Sequence, residues 1–124
     1  MVAGAAIGIG LDRSVLAQQD GIKRTILLRT DDPATSKYEA VMGIAEVPPG
    51  SSSGKHRHYG VEIGYVLEGS AVEEHDGRPT VTLKAGDTFK NDGPHNVMNR
   101  GTVPVKVLAV YLVEKGRPLA ESVP

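Results

Sequence analysis

The chain has 124 residues, a formal net charge of −1, 15 glycines, 8 prolines and no cysteine. This length suits one domain with a core of its own. The near-neutral charge argues against nucleic acid as a partner, because nucleic-acid binding usually shows as a basic excess. The absence of cysteine excludes disulfides, thiolate metal ligands and cysteine nucleophiles.

Residues 1–20 are predicted to be separate from the domain that follows. The run "VAGAAIGIGL" is apolar, and "SVLA" ends at Ala17, a pattern typical of a secretory signal and its cleavage site. No Lys or Arg precedes Arg13, so the basic start of a signal is missing. The run is also shorter than the roughly 20 residues of a membrane span, so no span is predicted. The segment is either a signal, which would make the protein periplasmic or secreted, or an N-terminal arm on a cytoplasmic protein.

Residues 21–124 are predicted to form a single all-β domain. The predicted strands are, in chain order, Ile22–Thr30, Lys37–Val47, Glu62–Leu67, Ser70–His75, Pro79–Leu83, His95–Asn99 and Val103–Glu114. Asp76-Gly77 is a strong hairpin turn signal. No window shows helical periodicity, and short strands with turns between them indicate a sandwich or a barrel. The last ten residues, "KGRPLAESVP", are predicted to be a surface tail.

The stretch "HRHYGVE" has the composition of a metal site. Alternate residues of a strand share a face, so His56 and His58 would point the same way. Two neutral imidazoles so placed form half of a site for divalent Zn, Fe, Ni, Cu or Mn. Glu62 begins the next predicted strand and could bring a carboxylate to the same point, while His95 offers a third imidazole.

The spacing around these residues resembles the first motif of the cupin family. Gly50, five residues, His56, one residue, His58, three residues, Glu62, six residues and Gly69 match that motif at every fixed position.

A second stretch resembles the second cupin motif less closely. Gly86 opens it, and His95 and Asn99 close it. Asp92 and Pro94 stand where the family has proline and glycine, and two residues are missing between the opening glycine and the histidine.

The resemblance is to small, single-domain bacterial cupins, and it implies a double-stranded β-helix, or jelly-roll barrel. It also implies one divalent transition-metal ion (Fe, Mn, Ni, Zn or Cu) held inside the barrel by His56, His58, Glu62 and His95. Members of this family are often homodimers, so the resemblance implies a homodimer here as well.

Other residues near these motifs have predicted places. Asn99 either steadies a metal ligand through a hydrogen bond or caps the backbone at a strand end. Val66 and Val97 share strand parity with two of the proposed ligands, which makes them candidates for an apolar pocket wall. His75, beside the Asp76-Gly77 turn, is predicted to be a solvated loop residue without a role.

Four protein ligands leave two positions of an octahedral metal open for water, a small-molecule ligand or dioxygen. The first hypothesis is therefore a metal-dependent, oxygenase-type enzyme acting on a small organic substrate, with Lewis-acid isomerisation or decarboxylation also open. The second hypothesis is a non-catalytic binder of a small ligand or a metal, periplasmic if residues 1–17 are a signal. The third is a structural or interaction domain with a vestigial site. The sequence singles out no catalytic residue beyond the metal ligands.

Overall fold

The computed structural model describes residues 21–124, and the predicted arm or signal of residues 1–20 lies outside the described residues. Ten strands are present in the described part of the chain. They are β1 Lys23–Asp31, β2 Tyr38–Val47, β3 His56–Arg57, β4 Gly60–Glu68, β5 Ser70–His75, β6 Val81–Lys84, β7 Thr88–Asn91, β8 His95–Met98, β9 Val105–Glu114 and β10 Glu121–Ser122.

The strands form two five-stranded sheets. The strand order is β1-β2-β9-β4-β7 in the first sheet and β10-β3-β8-β5-β6 in the second, and every pairing is antiparallel. This arrangement confirms the predicted all-β jelly-roll barrel. Within residues 21–124, no helix has the length and apolarity needed to cross a bilayer.

The apolar core follows from the alternation of side chains along the strands. In β9, Val105, Ala109, Tyr111 and Val113 are all buried, and this strand pairs with β2 along its full length. The core comprises two clusters of buried side chains: Ile26, Val41, Ala109, Tyr111, Val113 and Leu119 in one, and Ile22, Ala45, Val47, Ala71 and Val105 in the other. The interior also buries polar side chains, which form the site described below.

The glycine at the end of the first motif turns the chain from one sheet to the other. Gly69 lies between β4 and β5 with a φ of 81°, a left-handed conformation that favours glycine. A Cβ atom here would lie 2.6 Å from the carbonyl oxygen of Pro104. The turn therefore needs glycine for its conformation and for its close approach to the neighbouring chain.

The prediction of a surface tail at the C-terminus was wrong. Leu119 is buried in the core, and β10 pairs with β3, with Glu121 opposite Arg57 and Ser122 opposite His56. The physical reason is that β3 has a free edge, which the last residues cover with backbone pairing.

Candidate metal centre

Three imidazoles meet inside the barrel. His56 lies in β3, His58 directly follows that strand, and His95 begins β8. All three side chains are buried, and their ligand nitrogens lie within 4.8 Å of one another. The antiparallel pairing of β3 with β8 places His56 opposite His95, which brings their ring centroids to 4.3 Å.

Each imidazole is held by a backbone carbonyl through the same nitrogen. The Nδ1–H groups of His56, His58 and His95 donate to the carbonyl oxygens of Gly54, Leu119 and Gly93 at 2.8, 2.7 and 2.8 Å. This hydrogen bond selects the tautomer with a lone pair on Nε2, as is usual for histidines that bind a metal.

The Nε2 atoms of His58 and His95 are distinctive among the described residues. Among those residues, these two nitrogens are the buried side-chain polar atoms that lack a hydrogen-bond partner. Burying a polar atom without a partner is costly, so such atoms in a folded protein require an explanation. A cation bound between the imidazoles would satisfy both lone pairs, and the donor set of imidazoles and a carboxylate fits a divalent transition metal.

Glu62 supplies the carboxylate at this point. The residue is buried in β4, and its Oε1 lies 3.2 Å from Nε2 of His58 and 3.5 Å from Nε2 of His95. Burial alone would raise the pKa of Glu62, but the two facing imidazoles hold that pKa well below its usual range. Burial likewise opposes a charge on His95, yet the Glu62 carboxylate raises the pKa of His95. The carboxylate is thus available to a cation in its charged form.

A buried amide connects Glu62 to a second carboxyl group. The Nδ2 of Asn91 donates to Glu62 Oε1 at 3.0 Å and to Glu73 Oε2 at 2.9 Å. The Oδ1 of Asn91 accepts a hydrogen bond from Nε2–H of His75 at 2.7 Å, which fixes the orientation of the amide. Burial raises the pKa of Glu73. The charged ligand thus has beside it a second carboxyl group whose neutral form is favoured by burial.

The prediction that His75 is a solvated loop residue was wrong. Its side chain is only 10% exposed, and the residue lies in β5 opposite His95 of β8. The reason is that β5 continues to the residue before the turn, so His75 shares the inner face with Ala71 and Glu73. The alternation with Ala71, a small apolar residue, was the sequence signal that the side chains of Glu73 and His75 both face inward.

A buried cation adjoins the imidazole of His56. Arg24 of β1 is 2% exposed, its Nη2 lies 3.3 Å from Nε2 of His56, and its Nε donates to the hydroxyl of Tyr111 at 3.2 Å. Burial, together with the nearby His95 and this guanidinium, lowers the pKa of His56 to about 3. Sequence reasoning missed Arg24, although its position between the buried Ile22 and Ile26 was a usable signal.

A small cavity opens beside these groups. Its volume is about 30 Å³, and its wall includes Arg24, Glu62, Glu73 and both of the predicted wall residues, Val66 and Val97. A cavity of this size suits only small molecules. The rest of the lining is mostly apolar.

The side chain of Asn99 lies among backbone groups. Its Nδ2 donates to the carbonyl oxygens of Val47 and Val103 at 2.9 and 2.8 Å, and its Oδ1 accepts from the backbone N–H of Gly101 at 2.9 Å. These bonds cap backbone groups at the end of β8 and involve none of the proposed ligands.

Comparison with known proteins places these features in a family. A family model described as "Cupin domain" matches residues 43–111. The chain is 42% identical over 71 residues to an oxalate-binding protein of Thermotoga maritima, covering 55% of this chain and 58% of that protein. It therefore spans little more than half the length of that curated relative.

Two solved structures resemble the fold. A predicted oxalate decarboxylase from Thermotoga maritima is 33% identical, with a TM-score of 0.61 over 74% of this chain and 80% of that chain. A polyketide cyclase from Streptomyces resistomycificus has a TM-score of 0.66 over 91% of this chain and 81% of that chain, at 23% identity. The second likeness shows the fold alone.

Proposed function

The chain belongs to the cupin family, and we propose that it holds one divalent transition-metal ion (Fe, Mn, Ni, Zn or Cu) and binds a small carboxylate there. The proposed ligands are His56, His58, Glu62 and His95. One observation carries the proposal: the three imidazoles are fixed through Nδ1, and their other nitrogens converge on one buried region beside the Glu62 carboxylate. The bound metal would supply Lewis acidity, and redox chemistry if it is redox-active.

The charge of the interior favours an anionic ligand. A divalent ion and the Arg24 guanidinium would together bring three positive charges to a buried region. Glu62 brings one negative charge to the same region, and burial raises the pKa of the neighbouring Glu73. A small anion that lies close to both the metal ion and the guanidinium would be attracted by both.

The cavity and the relatives narrow the class of anion. The cavity volume of about 30 Å³ excludes a large organic ligand, and the mostly apolar wall offers few other polar partners. The named relatives are an oxalate-binding protein and a predicted oxalate decarboxylase. We therefore propose a short carboxylate of the oxalate class as the ligand.

Turnover is a second candidate function, and Glu73 favours it. An oxygenase-type reaction or a decarboxylation needs a group that can hold or release a proton beside the substrate. Glu73 lines the cavity, is 2% exposed and has a raised pKa, so it can present such a proton. The neighbouring Asn91 would hold that carboxyl in place.

One experiment tests the proposal and separates the two functions. Metal-free protein is loaded with Mn²⁺, Fe²⁺, Ni²⁺, Zn²⁺ or Cu²⁺ in turn and titrated calorimetrically with oxalate, while oxygen uptake, carbon dioxide and formate are followed. Metal-dependent binding without product supports a binding protein, and oxygen uptake or carbon dioxide release supports an enzyme. Oxalate binding that is absent with every metal contradicts the proposed ligand class.

We also propose a homodimer formed through the outer face of the first sheet. On β4 and β9 this face pairs Tyr65 with Leu108 and Ile63 with Val110. Tyr65, Ile63 and the nearby Leu112 are 47%, 44% and 45% exposed, which is high for side chains of their size. A second copy of the chain would cover this face.

A further inference from the structure

The C-terminal segment is attached to the strand that carries the proposed metal ligands. We call residues 117–123 the clasp. Its strand β10 pairs with β3, where Ser122 lies opposite His56, and the backbone N–H of Val123 donates to the carbonyl oxygen of Lys55 at 3.1 Å. The clasp therefore forms one edge of the metal-binding sheet.

The clasp also reaches the interior through Leu119. The side chain of Leu119 packs in the core cluster that contains Tyr111, and its carbonyl oxygen accepts the Nδ1–H of His58 at 2.7 Å. His56 and His95 take their acceptors from residues two positions earlier in the chain. His58 alone among the three depends on an acceptor 61 residues away.

A cluster at the surface fastens the clasp. Glu121 Oε1 accepts hydrogen bonds from Nε and Nη2 of Arg57 at 2.9 and 2.7 Å, and its Oε2 accepts from the Tyr59 hydroxyl at 2.8 Å. The guanidinium of Arg117 lies over the Tyr59 ring, 4.2 Å from the centroid. Arg57 and Tyr59 flank His58 in the sequence, so these contacts hold the clasp against the backbone on both sides of that ligand.

We propose that the clasp is a positioning element for the metal centre, so that docking of the clasp and metal binding reinforce each other. The inference depends on the proposed metal site. When the clasp is docked, Leu119 fixes the tautomer and the ring orientation of His58 and makes Nε2 a better donor. When it is undocked, His58 can rotate and change tautomer, so the apparent metal affinity is multiplied by the fraction of molecules in which the clasp is docked. By linkage, bound metal must stabilise the docked clasp to the same extent.

Paired variants in the full-length chain test the coupling. The double variant Leu119→Ala/Glu121→Ala removes the buried anchor and the surface fastening of the clasp. Glu121→Ala alone removes the fastening without opening the core, so it keeps the test decisive if the double variant does not fold. Glu68→Ala is the control, because it removes an exposed ion pair with Lys106 elsewhere on the barrel. Competition of each metal-free protein with a chromogenic chelator for Co²⁺ gives the affinity.

The expected result is a loss of Co²⁺ affinity of about tenfold for the double variant, at the lower end of the range for partners of metal-binding histidines. Glu121→Ala is expected to lose about threefold, through a smaller docked fraction. Glu68→Ala is expected to match the wild type.

A second measurement separates positioning from general destabilisation. NMR of the Zn²⁺-loaded protein with ¹⁵N-labelled histidine should show slowly exchanging Nδ1–H protons for His56, His58 and His95. In the variants only the signal of His58 should broaden or disappear, because the acceptors of the other two lie outside the clasp. Loss of all three signals together would indicate a structural effect and overturn the proposal.

The failures of the two proposals are distinguishable. If the wild type binds no Co²⁺ or Zn²⁺, both the proposed metal site and the proposed role of the clasp are wrong. If the wild type binds metal, and both variants bind it equally well with the His58 proton intact, the metal site stands and the positioning role of the clasp is overturned.

Discussion

Nη2 of Arg24 lies 3.3 Å from Nε2 of His56, the nitrogen that this histidine would offer to a metal. The site thus has a permanent positive charge beside the place proposed for a divalent ion. Two adjacent cations repel each other, and a carboxylate that lies close to both is attracted by both. This relationship makes the binding of metal and of carboxylate interdependent.

Arg24→Met is expected to affect the affinities for metal and for oxalate differently. Removing the guanidinium relieves repulsion, so metal affinity should stay the same or rise. Oxalate affinity of the metal-loaded protein should fall by tenfold or more, about 1.4 kcal/mol, because one of the two cations that attract it is lost. Calorimetric titrations with metal and then with oxalate measure both affinities. Arg29→Met, an exposed arginine on the same strand, is the control and should change neither; equal oxalate affinity in Arg24→Met and the wild type would count against the anion argument.

His95→Gln is expected to lose most of the metal, although the second motif is two residues shorter than the family pattern. The variant removes one of the three converging nitrogens, so we expect metal affinity to fall by at least about 100-fold, beyond the effect of losing an indirect partner. His75→Gln is the matched comparison, because His75 reaches the site only through Asn91 and is outside the three-histidine group, so a smaller loss is expected. Metal content after purification and chelator competition measure the difference. Similar metal content in the two variants would show that His95 is not a ligand.

The metal-free protein is expected to lose stability in acid, most steeply between about pH 3 and 4.5. Below its ordinary pKa of 6.5, His56 is protonated in the unfolded chain but neutral in the folded one down to about pH 3. The unfolded state then binds more protons, so the free energy of unfolding falls with falling pH, by at most about 1.4 kcal/mol per unit for this group. Glu62, with its lowered pKa, adds a change of the same sign below its ordinary value of 4.5.

Two groups act in the opposite direction at higher pH. Glu73 and His95 have raised pKa values, so they stabilise the fold below their unfolded pKa values and lose this contribution as the pH rises through their folded ones. Glu73 therefore partly offsets His56 just above pH 4.5. Urea unfolding of chelator-treated protein across a pH series measures the profile. His56→Gln should flatten it between pH 3 and 6.5, and an unchanged slope in that variant would refute the assignment to His56.

The two glycines of the first motif are expected to differ in their tolerance of alanine. Gly50 and Gly69 have similar positive φ angles of 76° and 81°, so both variants carry the left-handed strain of about 1–2 kcal/mol. A Cβ at Gly50 has nothing within 4 Å, whereas one at Gly69 meets backbone at 2.6 Å. Gly69→Ala should therefore be the more destabilising by urea unfolding, by roughly 1–3 kcal/mol as in other overpacked sites. Equal losses would mean that the turn relaxes at no cost.

Tyr65→Glu is expected to convert the proposed dimer to a monomer. The substitution places a charge on the apolar outer face of the first sheet, where a second copy would bury it without a partner. Light scattering after size-exclusion chromatography measures the mass of the wild type and the variant. Lys84→Glu, an exposed position on β6 of the second sheet, is the control. A wild type that is monomeric at high concentration would remove the basis for the dimer.

The barrel and the grouping of the histidines with Glu62 could be predicted from the sequence, because strand alternation and motif spacing are local properties. The side chains that surround that group could not be predicted in this way. Arg24 reaches His56 from a strand 32 residues earlier, and Leu119 reaches His58 from 61 residues later. Such contacts depend on sheet order, which no local pattern specifies. The burial of His75 could have been predicted, since its alternation with Ala71 along one strand is visible in the sequence.

In the proposed site, three imidazoles and one carboxylate hold a single metal ion. Anomalous diffraction from crystals of the metal-loaded protein, recorded at the absorption edge of the metal, locates that ion. We expect one peak per chain, about 2.0–2.3 Å from Nε2 of His56, His58 and His95 and from a carboxylate oxygen of Glu62. A peak elsewhere, or none after soaking with each of the five candidate metals, would contradict the proposed site.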